Sequence, residues 1–302
     1  MIREMLEFLK TNDVEYKECY DLAMLSPIKI GGKASIVVFP DSINKLICLV
    51  DFLECIKICY KIVGRMSNVL FCDEIYDGVV IRTDRVRQYE IKDNIVSADC
   101  GVSMPHLAHV CSRVGLSGME SLCGIPGSIA GAVVGNAGAF GSEISDIFIS
   151  ALTYDKGTRR IVRLFRDELG FSYRRSFIKD KGQLVILSCD LCLRMSDIVS
   201  VTNETERIRK IRKDTQPTDL PSLGSSFRRP DDGTPAARLI DLCGLKGCSV
   251  GGCSVSEKHA GFIVNTGGGR AEEYIELTEK IKGEVYRKFK VSLEAEVESI
   301  KT

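Results

Sequence analysis

Apolar and polar positions follow two periods along this chain. A period near 3.6 residues predicts an amphipathic helix at the N-terminus (MIREMLEFLK). It predicts further helices over 42–61, 103–114, 199–213 and 236–243, and a long one over 271–289. Ser103 followed by Pro105 in the first turn marks one helix start. Alternation of period two, or short β-branched runs, predicts strands at 35–39, 61–63, 78–82, 95–98, 149–154, 160–165, 184–193, 262–264 and 291–300. The mixture reads as α+β. The order of elements predicts a helix and lead-in over 1–25 and a domain over 26–195 made of two α/β subdomains, about 26–83 and 84–195. A C-terminal α/β domain over 196–302 follows, entered through the polar helix at 199–213.

Composition narrows the class. The 302 residues are 44% apolar and 27% charged, as in a globular protein of about two domains. Lys plus Arg equals Asp plus Glu at 41 each, which gives no electrostatic case for nucleic acid or an anionic membrane, and no obligate protein partner is inferred. Arg3, Glu4, Glu7 and Lys10 interrupt the N-terminal helix, and Asp51, Glu54 and Lys57 interrupt the apolar stretch 47–60. Neither a signal peptide nor a membrane span is expected, and the cytoplasm is the expected compartment.

An odd count of thirteen cysteines argues against a disulfide framework. Cys189 and Cys192 lie three apart on a strand and so face opposite ways, which argues against a metal or redox pair. Cys48, Cys55, Cys59, Cys243, Cys248 and Cys253 fall among apolar positions and are expected to be small core residues. No metal site is expected.

The candidate chemistry begins at residues 124–141, GIPGSIAGAVVGNAGAFG. Glycines let backbone N–H groups approach a ligand that a Cβ would hold away, and such loops cradle phosphate. A dinucleotide-binding reading is tempting, because the strand-like Ala132, Val133 and Val134 precede glycines and Asp155 follows Gly135 by about twenty residues. It fits badly. Gly135, Gly138 and Gly141 are spaced three apart rather than as G-x-G-x-x-G, and too few residues remain before the next strand for a crossover helix. Two more loops, 30–34 and 64–68, could also meet phosphates, and Ser67 and Asn68 add side-chain donors.

Other motifs carry a bland reading beside a functional one. Tyr173, Arg174 and Arg175 are either a solvated surface or guanidinium groups aimed into a cleft to meet a carboxylate or enolate. The serine-rich turn at 221–227 lacks a hydrolase elbow frame. His106 and His109 are expected to be solvated, with Leu107, Val110 and Val114 on the core face. Glu294 and Glu296 share one face of the final strand, which is either a solvent face or a return to the cleft.

Taken in order, GIPGSIAGAVVGNAGAFG, LGFSYRRSFIK, TQPTDLPSLGSSF, AARLIDLCGLKG with VSEKHAGFIVN, and LEAEV resemble the UDP-N-acetylenolpyruvoylglucosamine reductase family (MurB) from about residue 26 to residue 300. The short segment between Leu193 and Arg212 is similar to its type II subclass. The resemblance implies a vanillyl-alcohol oxidase/PCMH-like FAD-binding region of two subdomains and a substrate domain. It also implies hydride transfer from NADPH to FAD and then from flavin N5 to the enolpyruvyl ether of a UDP-sugar, giving UDP-N-acetylmuramate. It further implies that Arg174 stabilises an enolate-like intermediate, that Ser225 protonates the carbon, and that Glu296 assists. FAD would be held by Gly64, Arg65, Ser67, Asn68, Gly124, Pro126, Gly127, Ser128, Gly131, Asn136 and Gly138. One departure concerns that loop, where Met66 stands in place of a usual glycine. The competing readings are another flavin-dependent oxidoreductase of the same fold and a non-catalytic nucleotide-binding homologue.

Overall fold

A computed structural model describes residues 2–301. The chain forms two compact units, each assembled from separate stretches. The first comprises Met1–Lys17, Ile36–Arg65 and Gly78–Lys210, and the second Glu18–Ser35, Met66–Asp77 and Ile211–Thr302.

The first unit holds two cores. In one, Leu46, Leu49, Val50 and Leu53 of the helix Ile43–Ile56 pack against Ile36, Val38, Val79 and Ile81. The strands of that layer run in the order Glu15–Asp21, Lys33–Phe39, Tyr76–Arg82, Tyr60–Val63. Ser42 starts the helix by accepting a hydrogen bond from Lys45 N (3.3 Å), and Lys57 ends it with φ +55°. The left-handed residue turns the chain directly into Tyr60–Val63, so the helix is shorter than the expected 42–61. With the core face at 46, 49, 50 and 53, Cys48 and Cys55 lie off it and Cys59 lies past the helix end. All three are exposed, contrary to the expectation of core residues; Cys243 and Cys248 are half-buried and Cys253 is buried.

The other core lies on a five-stranded antiparallel sheet ordered Arg160–Phe165, Phe148–Asp155, Leu184–Cys192, Ile95–Asp99, Tyr89–Lys92. Cys189 is buried and Cys192 exposed, on opposite faces. The helix Met104–Arg113 buries Met104, Leu107, Ala108 and Cys111; Val114 lies beyond its end and is exposed, and Ser103 makes no side-chain cap bond. Val201, Thr205 and Ile208 of the helix Ile198–Thr215 are buried, so the expected connector belongs through Lys210 to this unit.

The strand-like run at 132–134 is helical. Ser128 Oγ accepts from Gly131 N (3.3 Å) and starts the helix Ile129–Val134, whose Ile129, Ala132 and Val133 enter the core. A six-residue helix with only apolar side chains and one glycine has no polar face to display its period.

In the second unit the antiparallel sheet Ser222–Ser225, Phe262–Asn265, Cys253–Val255, Ser249–Val250 is covered by the helices Ala236–Leu242 and Ala271–Phe289. The serine-rich segment expected as a turn is thus largely an edge strand. Ile28, Ile30 and Leu70 join this core, and Asn265 Nδ2 donates to Ile28 O (2.9 Å). The expected strand at 291–300 is reduced to Glu298–Ile300, which pairs with Val69–Phe71. Residues 293–297 meet the sheet at a single bridge, Phe227 opposite Ala295, flanked by Arg228 N to Glu294 O and Glu296 N to Ser226 O (each 2.9 Å). Among the described residues, no helix is long and apolar enough to cross a membrane.

Candidate functional site

In the first unit two of the expected phosphate loops touch. A Cβ on Gly64 would fall 2.4 Å from Ser128 Oγ, which is committed to its helix cap, so only glycine fits where these loops pass. Beside it, Arg65 Nε is buried and donates to no protein acceptor. An unspent buried donor is costly in the protein alone and suits an anionic ligand. Gly127 holds φ +147°, open to glycine alone, and its carbonyl accepts from Met104 N (3.1 Å). Gly124 and Gly127 are half-buried and Pro126 is exposed.

The remaining candidates on this loop have reasons within the protein. Gly131 N–H is spent on the Ser128 cap. A Cβ on Gly138 would meet Ser142 O and Glu143 Cγ at 2.7 Å, inside the hairpin that pairs Gly138–Ala139 with Ser142–Glu143. Asn136 has no exposed surface, and its side chain bonds Glu143, Ser145 and Ser172. The third expected loop, 30–34, lies in the second unit, where Gly32 is pressed against the backbone of Asp73 and Glu74.

Arg174 sits in a two-residue turn closed by Ser172 N to Arg175 O and Arg175 N to Ser172 O, each 3.1 Å. Its φ is +57°, its Nη2 donates to Gly138 O (2.8 Å), and its guanidinium lies 5.1 Å from the Tyr173 ring centroid. Arg174 is half-buried, whereas Arg175 is exposed.

The second unit brings together Ser225, Glu296 and Asn68. Glu296 N bonds Ser226 O beside Ser225; Asn68 Nδ2 donates to Glu296 O (3.0 Å), and Glu298 N donates to Asn68 O (3.1 Å). Ser67 is half-buried nearby in sequence. Gly224, at φ +80°, turns the strand so that Ser225 is exposed and Ser226 is buried. Ser226 Oγ accepts from Ile263 N (3.1 Å) and from the Tyr274 hydroxyl (2.9 Å). Burial pushes the Tyr274 phenol well above its ordinary range, keeping it a donor. Of the two adjacent serines, Ser225 is exposed, its Oγ donating to Phe227 O (3.4 Å), and Ser226 is buried.

Reading the residues missed Glu143, Ser176 and Arg228. Arg228 Nε is buried without an acceptor, and Nη1 lies 3.3 Å from Glu294 Oε2. Its place directly after the Gly-Ser-Ser-Phe element was the available signal.

Residues 34–163 match the model of an FAD binding domain, and residues 216–300 match that of the UDP-N-acetylenolpyruvoylglucosamine reductase C-terminal domain. A UDP-N-acetylenolpyruvoylglucosamine reductase of Caldicellulosiruptor bescii is 38% identical over 295 residues, 97% of this chain and 93% of the relative. The chain belongs to the UDP-N-acetylenolpyruvoylglucosamine reductase family. The reductase of Bacillus subtilis is 37% identical over 92% of each chain. Among solved structures, the reductase of Thermus caldophilus superposes with a TM-score of 0.80 at 29% identity, covering 95% of this chain and 98% of that one. A berberine bridge enzyme variant is similar in fold alone, with a TM-score of 0.51 and 13% identity over 64% of this chain and 44% of that one. The fold is thus the α+β, vanillyl-alcohol oxidase/PCMH-like flavoprotein fold expected from the sequence, and the chain carries an FAD-binding domain.

Proposed function

We propose that this chain reduces UDP-N-acetylglucosamine enolpyruvate to UDP-N-acetylmuramate, with FAD as bound cofactor and NADPH as reductant, in the cytoplasm where both nucleotides are dissolved. The observation that carries the proposal is the match to named reductases over nearly their whole length. In this reading FAD is held by Gly64, Arg65, Ser67, Asn68, Gly124, Pro126, Gly127, Ser128, Gly131 and Gly138, whereas the side chain of Asn136 is spent within the protein. The orphaned Arg65 donor and the glycine-only contact at Gly64 fit a phosphate-bearing group. When bound and reduced by NADPH, the flavin would supply the hydride that the enolpyruvyl carbon accepts.

The protein's own groups answer the charge that this addition creates. Negative charge develops next to the substrate carboxylate, so the planar donors of Arg174 favour the reacting state over the ground state. Ser225, the exposed serine, gives its hydroxyl proton to the α-carbon. Such a weak acid serves because the carbanion it meets is far more basic than the alkoxide left behind. Glu296, on the segment hydrogen-bonded beside Ser225, assists the same step. Residues 196–302, which contain Ser225 and Glu296, are the substrate-binding domain in this reading.

The test uses purified holoprotein. Acid precipitation releases the flavin into the supernatant. NADPH bleaches it anaerobically, and the enolpyruvyl substrate restores the yellow oxidised spectrum with formation of UDP-N-acetylmuramate. Flavin retained in the pellet defeats non-covalent binding, and reduced flavin left unoxidised by this substrate defeats the assigned reaction.

A further inference from the structure

We propose that Asn136 is a positioning residue for Arg174: with Glu143 it clamps the 172–175 turn, and it acts on the reaction through that turn. The proposal rests on the reading of Arg174 as the group that stabilises developing charge. Arg174 occupies a left-handed conformation (φ +57°), which costs a residue with a Cβ conformational energy that contacts around it must offset.

Those surroundings are one short stretch of the glycine loop, which grips the turn at alternate residues. Asn136 Nδ2 donates to Ser172 O (2.9 Å), Arg174 Nη2 to Gly138 O (2.8 Å), and Ser176 Oγ to Val134 O (2.8 Å). Ser176, like Asn136, has no exposed surface.

Glu143 determines which way the Asn136 amide points. Its Oε2 lies 2.7 Å from Asn136 Nδ2, and a carboxylate can face only the NH2 edge of an amide. The opposite edge, Oδ1, accepts from Ser145 N (3.3 Å). The two N–H bonds of one NH2 group are thereby divided between Glu143 and the Ser172 carbonyl. Asn136 itself is left-handed (φ +41°), a conformation asparagine tolerates better than most residues. A side chain with no exposed surface and three protein partners has no atom left for a ligand. Its influence runs through the turn it holds.

The experiment is a double-mutant cycle on the holoenzyme, read separately on the two half-reactions. Asn136→Ala leaves flavin bleaching by NADPH within about 2-fold of wild type and slows reoxidation by the enolpyruvyl substrate at least ~10-fold. Added to Arg174→Ala, it slows reoxidation by no more than about 2-fold further, because the group it positions is gone. Substrate binding, read from the spectral shift of the oxidised flavin, weakens in Asn136→Ala in the same non-additive way. Equal slowing in both backgrounds, parallel loss of both half-reactions, or unaltered reoxidation in Asn136→Ala overturns the clamp. Should Asn136→Ala not fold, Glu143→Gln runs the same cycle: its amide no longer fixes the Asn136 orientation, and it must show the same non-additivity with Arg174→Ala. If wild-type enzyme turns over and the cycle is additive, the clamp alone fails. If the wild-type enzyme is not reoxidised by this substrate, the functional reading fails and the clamp falls with it.

Discussion

The exposures of Ser225 and Ser226 separate two residues that sequence leaves equivalent. Ser226 is locked between Ile263 and Tyr274, while Ser225 faces outward from a strand turned by Gly224. Ser225→Ala is therefore expected to leave NADPH-dependent bleaching near normal and to slow reoxidation by the enolpyruvyl substrate at least ~10²-fold, the lower end for a positioned general acid. Rapid-mixing absorbance of each half-reaction checks this, and equal impairment of both would make the serine structural. Met66, where the resemblance expects glycine, is buried and has φ +54°. The backbone keeps the turn that glycine would favour, at a cost of about 1–2 kcal/mol, while the buried side chain contributes ~2–5 kcal/mol. Burial wins, so Met66→Gly is expected to destabilise. Met66→Ala loses the same side chain yet keeps the Cβ, so it is expected to fall about 1 kcal/mol below Met66→Gly. Urea midpoints of the three proteins decide it, and alanine equal to or better than glycine would contradict the left-handed assignment.

Elements were legible where a period runs long or a strand is paired along its length. The helix Ala271–Phe289 and the strand Arg160–Phe165 match their expected bounds, since five turns of apolar stripe or a full hairpin register leave little choice. Ile129–Val134 was missed because its only start signal is the Ser128 hydroxyl, read as part of a ligand loop. Residues 291–297 alternate as a strand should, but one bridge to Phe227 exhausts their partner before the chain turns to pair with Val69–Phe71. Apolar neighbours alone place Cys48 and Cys55 in the core, whereas phase within the helix is set by Leu46, Leu49, Val50 and Leu53 and leaves both exposed. The candidate site was legible mainly through family resemblance. Residues alone leave Arg174 balanced between surface and cleft, and its guanidinium is bonded to a carbonyl 36 positions away in sequence, at Gly138. No local pattern encodes such a contact, and the same holds for Asn68 with Glu296, 228 positions apart.

At the scale of the molecule, the chain closes each unit with pieces distant in sequence, so unfolding of the second unit frees Glu18–Ser35 and Met66–Asp77 as well as the C-terminal stretch. One half-buried imidazole makes that unit sensitive to mild acid. His259 packs edge-on against Phe262 with centroids 4.9 Å apart, and its Nδ1 accepts from Gly261 N (3.2 Å). That acceptor requires the neutral ring, and burial holds the imidazole below its ordinary value of 6.5. Just below pH 6.5 the unfolded chain therefore binds a proton that the folded chain refuses. Stability is full above the unfolded value and declines as pH falls from 6.5 toward the lowered folded value. Replacing His259 by Asn keeps a side-chain oxygen as an acceptor for Gly261 N–H and removes the titration. Far-UV circular dichroism melts at about pH 7.5 and about pH 5.5 are expected to show wild type losing more than His259→Asn, by on the order of 2 °C in Tm. The difference should vanish when both melts are taken above the unfolded value, where neither protein binds the proton. Equal acid sensitivity of the two proteins would mean that carboxylates, not this imidazole, set the slope.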